Sequence, residues 1–234
     1  MSGTNERDAP TTTVGRDTRR AVRAPLILER LARAIPGARI ALEYTTTWQL
    51  LAATLLSAQS TDERVNIVTR GLFARFPDPV STAGATQEEV EGLIGELGLF
   101  RNKARNLRAT ASIIVEQHGG KVPADMAALI ALPGVARKTA NVVLANGFGI
   151  HEGIAVDTHV GRIARRLALS RAQDPVSVER DLMAIYPRER WLAVSDLLIH
   201  HGRGACDARA RQCDACPIED LCPSSWVEGR ADRR

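Results

Sequence analysis

The sequence predicts an all-α protein. Apolar residues recur at three- and four-residue spacing, short Gly, Pro and Ser/Thr signals punctuate them, and no stretch alternates as a strand would. The first helical stretch starts at Pro25, with Leu28, Leu31, Ala32 and Ile35 on one face and Pro36-Gly37 as the stop. At Thr46, Gln49 follows at capping-box spacing and an apolar run reaches Leu56 before Ser57-Ala58-Gln59-Ser60. Further stretches carry Val65, Val68, Leu72 and Phe73, then Val90, Leu93 and Leu97 behind a second capping pair, Thr86 and Glu89. Leu107, Ile113 and Ile114 lead to Gly119-Gly120. Beyond lie a short helix near Met126 to Ala131, a longer one from Arg137 to about Ala145, one after Asp157, and two more reaching His200.

Composition bounds the function classes. The chain has 234 residues, 44% of them hydrophobic, enough for one large core or two small ones sharing a cleft. Thirty-one Lys and Arg against 27 Asp and Glu give a charge of +4, which suits a polyanionic partner without requiring one. No stretch approaches the roughly 18 unbroken apolar residues of a membrane span, so a cytoplasmic protein is expected. Residues 1–24 are rich in Thr, Arg and Asp without apolar period and read as a disordered tail.

The segment Leu132-Pro133-Gly134-Val135-Ala136 joins two helices and leaves unpaired backbone N–H groups able to hold a phosphate. Such a hairpin grips the nucleic-acid backbone without reading bases; an ordinary Pro-Gly turn is the plain alternative. Arg137 and Lys138 follow in the first helical turn, where the helix dipole disfavours cations, so an anion or a chemical use is implied. That same field favours an uncharged, nucleophilic amine on Lys138, the group needed to attack a sugar carbon; a phosphate-contacting lysine is the alternative. Asp157 precedes an apolar helix and reads as its N-cap, or as a carboxylate able to stabilise cationic sugar if it faces Lys138.

All four cysteines fall at Cys206, Cys213, Cys216 and Cys222, spaced C-x6-C-x2-C-x5-C in a loop too short to form its own core. Clustering of this kind reads as metal ligation rather than a disulfide framework. A structural zinc site commonly uses two C-x2-C knuckles; only one is present, which points to a four-iron, four-sulfur cluster. Arg209 and Arg211 lie between the first two ligands as a compact basic finger for phosphate. His200 and His201 are read as packing or capping residues, not ligands.

Together Leu55-Leu56-Ser57-Ala58-Gln59-Ser60-Thr61-Asp62, the run Leu132 to Val143, the segment Val156-Asp157-Thr158-His159-Val160 and the cysteine spacing resemble the endonuclease III family. The resemblance spans roughly Thr46 to Cys222. It implies two helical domains flanking a DNA cleft: a six-helix barrel with the helix-hairpin-helix over 40–150, and a [4Fe-4S] domain from 25–39 plus 151–234. It further implies Lys138 as nucleophile and Asp157 as its acidic partner. Gln59 would fill the gap left by an extruded base, Leu99 would be the apolar wedge, and His159 would lie at the DNA surface. The implied activity is a bifunctional DNA glycosylase and AP lyase, a monomer acting on oxidised pyrimidines or abasic sites in duplex DNA and associated with the bacterial nucleoid. Rivals are a mismatch glycosylase for adenine or thymine, against which Lys138 argues, a non-catalytic DNA-binding module, and an iron-sulfur redox sensor. Phe100, where the family often has tyrosine, and Gly161 depart from the pattern.

Overall fold

The structure, a computed structural model, describes residues 14–227. Eleven α-helices run in order: α1 Arg20–Ala34, α2 Thr47–Leu56, α3 Asp62–Arg75, α4 Pro79–Gly84, α5 Gln87–Ile94, α6 Phe100–His118, α7 Met126–Ile130, α8 Arg137–Phe148, α9 Thr158–Arg166, α10 Pro175–Met183 and α11 Trp191–Arg203. No strand occurs among the described residues; one isolated bridge pairs Cys206 with Arg211.

Local chemistry sets most helix starts. Thr46, Thr61, Thr86, Asp125, Asp157 and Asp174 each place a side-chain oxygen on a first-turn N–H, satisfying a donor that the helix itself leaves unpaired. Thr86 and Glu89 form the reciprocal capping box expected of their spacing. At α2 the reciprocal half differs, since Gln49 accepts from the N–H and hydroxyl of Thr45 rather than from Thr46. Helix α4, which apolar spacing did not signal, rests on an Asp78 capping box with proline as its first residue.

The apolar faces close over two cores. One gathers residues of α2 through α8, with Leu50, Leu51, Leu56, Leu72, Ile94, Leu107, Ile114 and Leu144 fully buried. The other joins α1 to α9, α10, α11 and the cysteine-bearing loop through Ile27, Leu31, Ile163, Leu182, Leu198 and Leu221. Chain order therefore differs from spatial order: α1 packs on α11 rather than on the helix that follows it.

The expectation of a disordered tail through residue 24 needs correction. Residues 1–13 lie outside the described part, but α1 begins at Arg20, and both Arg23 and Ala24 are buried. The Arg23 guanidinium donates to the carbonyls of nearby Thr18 and of distant Leu167 and Leu221, so its burial is satisfied largely by partners that apolar periodicity cannot register. No helix among the described residues is long and apolar enough to cross a membrane.

Candidate active site and cysteine cradle

Between the two cores lies a cleft of about 620 Å³, and adjoining it a chamber of about 80 Å³. Lys138 and Asp157 line both, as do Ser57, Asp62 and Arg203. Lys138 comes from the second residue of α8, on the first core, and is exposed. Asp157 comes from the start of α9, on the second. Its carboxylate accepts from the Val160 N–H at 2.7 Å, so it is the N-cap and at the same time faces the space that Lys138 faces.

The hairpin ahead of Lys138 is built as its residues require. Gly134 sits at φ +78°, and a Cβ there would lie 2.9 Å from the Asn106 amide nitrogen, so glycine is needed for both conformation and space. Thr110 donates to the Pro133 carbonyl at 3.1 Å, and the Val135 N–H closes the turn on Leu132. Leu132 and Val135 direct their side chains into the first core, leaving only their backbone for an external contact. Ala136, at the cap position of α8, supplies no side-chain acceptor, so the first N–H groups of that helix remain available to an anion.

The anion implied for Arg137 is internal. Its guanidinium grips the Glu179 carboxylate of α10 through Nε at 2.9 Å and Nη2 at 3.1 Å. This partner, 42 residues away, was not identified from the sequence, because an isolated Glu on an amphipathic helix carries no distinguishing pattern.

Gln59 and Leu99 share a conformational peculiarity: both have positive φ, +55° and +60°, and both are exposed, Leu99 by 57%. Non-glycine residues held in this region carry strain of about 1–3 kcal/mol, which neighbouring structure must enforce. Lys103, buried and donating to the Ser60 hydroxyl at 2.9 Å, ties α6 to the Gln59 loop, and its burial lowers its affinity for a proton. The sequence reading missed this lysine, which sits among helical residues that otherwise read as surface. His159 is half-buried at the cleft, its Nδ1 3.3 Å from Arg162.

Deeper in the chamber, burial pushes the Asp196 carboxyl up to about 6 despite the opposing pull of His200. His200 bonds the Arg39 carbonyl at 2.9 Å, and Arg203 pairs with Asp62 at 2.7 Å, the second contact bridging α11 to the first core.

The four cysteines form no disulfide with one another and line one cavity with His201 and Arg166. Burial first, with the neighbouring thiols adding, pushes the Cys216 thiol up to about 11, and burial likewise raises Cys222. Thiolates there need a cationic centre to be stable. Among the described residues no three Cys, His, Asp or Glu side chains converge to hold a single metal ion, yet all four thiols face a common space. Arg166 fixes the Cys206 loop, donating to the Cys206 carbonyl at 2.9 Å, its Sγ at 3.2 Å and the Asp207 carbonyl at 2.8 Å. His201 is buried, its Nε2 3.9 Å from Cys216 Sγ, and desolvation lowers it to about 4, which keeps it neutral. Arg209 is exposed, whereas Arg211 turns back over the Trp226 ring at 5.0 Å and donates to Ser224, a contact the spacing of the loop did not disclose.

Comparison with known proteins adds to this geometry. The family pattern described as "HhH-GPD superfamily base excision DNA repair protein" matches residues 52–188. The chain is 51% identical over 203 residues to the endonuclease III of Synechocystis sp., covering 87% of this chain and 93% of that protein. It is 43% identical over 196 residues to the endonuclease III of Escherichia coli, covering 84% and 92%. Among solved structures it matches a trapped endonuclease III–DNA covalent intermediate with TM-score 0.84 and 39% identity, over 88% of this chain and 96% of that one. A thermostable thymine-DNA glycosylase matches at TM-score 0.77 with 20% identity, a likeness of fold alone.

Proposed function

Because the chain belongs to the endonuclease III family of HhH-GPD base excision repair proteins, and is thereby a DNA N-glycosylase and AP lyase, we propose that Lys138 is its nucleophile and Asp157 the carboxylate that assists it. One observation carries this reading: an amine at the uncapped start of α8, just past the hairpin, opens onto the same cleft as a carboxylate from the opposite core.

DNA is the partner. A base within the duplex is inaccessible, so the damaged nucleotide must rotate out, at a cost of a few kcal/mol that weakened pairing lowers. Gln59 would occupy the vacated space and Leu99 would wedge the opposite side; their exposure and enforced backbone suit that work. The hairpin backbone from Leu132 to Val135 and the α8 N–H groups would hold phosphate, with His159 and Arg209 along the same strand path. Arg211 would add charge there while lying over Trp226, and Arg137, its charge offset by Glu179, would offer phosphate only its remaining N–H groups.

The chemistry then balances on one nitrogen. Lys138 Nζ bonds to the sugar C1′ as the glycosidic bond breaks, and the departing base takes the bonding pair and a proton. Asp157 offsets the positive charge developing on the sugar. Opening of the ring leaves an iminium; loss of a C2′ proton expels the 3′ phosphate, and water returns the free amine. Oxidised pyrimidines and abasic sites are the substrates this chemistry fits best, handled by a single copy of the chain, a reading supported by Lys138 and Asp157 of one chain lining one cleft.

Cys206, Cys213, Cys216 and Cys222 fit a [4Fe-4S] group: four thiols line one cavity, and Arg166 adds positive charge beside Cys206. When bound, that group supplies a cross-link organising the loop that carries Arg209. We read residues 40–150 as one domain, and 25–39 with 151 onward as the second, a division the two cores support.

Borohydride should trap wild type covalently on a duplex containing thymine glycol or an abasic site, and should not trap Lys138→Gln. Trapping of Lys138→Gln, or release of adenine from a mismatch duplex in place of thymine glycol, would overturn the assignment.

A further inference from the structure

Helix α8 presents Lys138 to the cleft; its apolar face, with Ala140, Val143 and Leu144 buried, seats it in the first core, and polar contacts across the seam hold its first two turns in addition. Arg137 and Asn141 stand four residues apart and so share a face of the helix beside Lys138. Both are held by one carboxylate. Glu179 accepts two bonds from Arg137, at 2.9 and 3.1 Å, and one from the Asn141 amide at 2.9 Å. It is 5% exposed, Asn141 is 2% exposed, and the carboxylate reaches them from α10, on the second core.

Space for that carboxylate is reserved by a third segment. Gly153, in the connection between α8 and α9, has no positive φ, so glycine is not demanded there by conformation. A Cβ at that position would lie 1.9 Å from Glu179 Oε1 and 2.8 Å from the Asn141 amide nitrogen. Four residues from three elements thus converge on one three-bond clamp.

Resting on the reading of Lys138 as nucleophile, we propose that Glu179 is a positioning residue for the reaction: it locks α8 in rotation across the seam between the cores and so sets Lys138 Nζ against the sugar. A rotation of about 10° moves an atom roughly 6 Å from a helix axis by about 1 Å. A displacement of that size can cost on the order of a hundredfold in rate. The pairing also neutralises the cation next to Lys138, and it strengthens the hold of Arg137 on its own proton, principally through the bond to Glu179.

The test uses the purified full-length protein with its metal centre. Single-turnover borohydride trapping on an abasic-site duplex, at saturating protein, reads the approach of the lysine to C1′. Affinity for a duplex carrying a reduced, uncleavable abasic analogue, together with thermal unfolding, reads binding and folding. Glu179→Gln should lower the trapping rate roughly ten- to hundredfold while leaving affinity within about twofold. Gly153→Ala, which pushes the carboxylate from its place without touching its charge, should do the same, and the double variant should be little worse than either single one. An unchanged trapping rate in either folded variant overturns the proposal. So does a fall in trapping matched by an equal fall in affinity, or fully additive losses in the double variant. Failure of the underlying reading has a different signature: no adduct from wild type, or an adduct from Lys138→Gln.

Discussion

Asp157 performs two tasks that a single substitution separates. Its oxygen caps α9 through Val160, and its charge faces the cleft. Asparagine keeps an acceptor for the cap and removes the charge. Asp157→Asn should therefore unfold within about 0.5 kcal/mol of wild type yet turn over about a hundredfold or more slowly, read by calorimetry and single-turnover excision. Asp157→Ala should lose the cap as well, costing about 1 kcal/mol. Asp196 makes a pH prediction. Its folded value, about 6, lies above the ordinary 3.8 because of burial, so the folded state holds the proton more tightly than the unfolded chain does. The stabilisation is thus fully present below about 3.8 and is lost as pH rises through about 6. Charges lining the chamber from both cores, Arg39, Asp62, Lys138, Asp157, His200 and Arg203, modulate the midpoint. Asp196→Asn should raise the melting temperature at neutral pH and change it little near the acid end. An equal gain at both ends would contradict the buried-carboxyl account.

The hairpin and α1 show what an element owes to its surroundings. At Gly134 the left-handed conformation and the nearness of Asn106 both exclude a side chain. Gly134→Ala should distort the turn, removing about one charge-assisted hydrogen bond to phosphate and weakening duplex affinity roughly tenfold. Anisotropy titration with an uncleavable duplex checks this; unchanged affinity would mean that the turn does not hold DNA. Helix α1 is held at its start by the buried guanidinium of Arg23, which reaches the carbonyls of Leu167 and Leu221. Arg23→Ala would strand both oxygens and should destabilise the protein by about 3 kcal/mol. Since Leu221 adjoins Cys222, the same variant should also lower iron content per chain, measured by elemental analysis.

For the molecule as a whole, catalysis depends on two cores holding a fixed relation. Arg137–Glu179 and Arg203–Asp62 span the seam, while the cysteine loop packs on the second core. Loss of the proposed metal centre, by chelation under denaturing-then-native exchange or by Cys213→Ser, should therefore loosen the second core first. Amide exchange should rise over α9 to α11 and stay low over α2 and α6, with trapping by Lys138 lost although its own helix persists. Uniform exchange across both cores would instead indicate a single cooperative unit.

The sequence by itself determined what depends on near neighbours: the helical class, the starts capped by Thr46, Thr86 and Asp157, the hairpin glycine, the lysine behind it and the clustered cysteines. Apolar period, cap chemistry and ligand spacing act within a few residues, so they can be read along the chain. Tertiary structure alone decided that α1 begins at Arg20, that Lys103 braces the Gln59 loop, and that Glu179 is the anion beside Arg137. Those partners stand 198, 43 and 42 residues apart. Contacts at such separations leave no local signature, because the cost of burying each charge is offset only when the folded cores bring its partner to it.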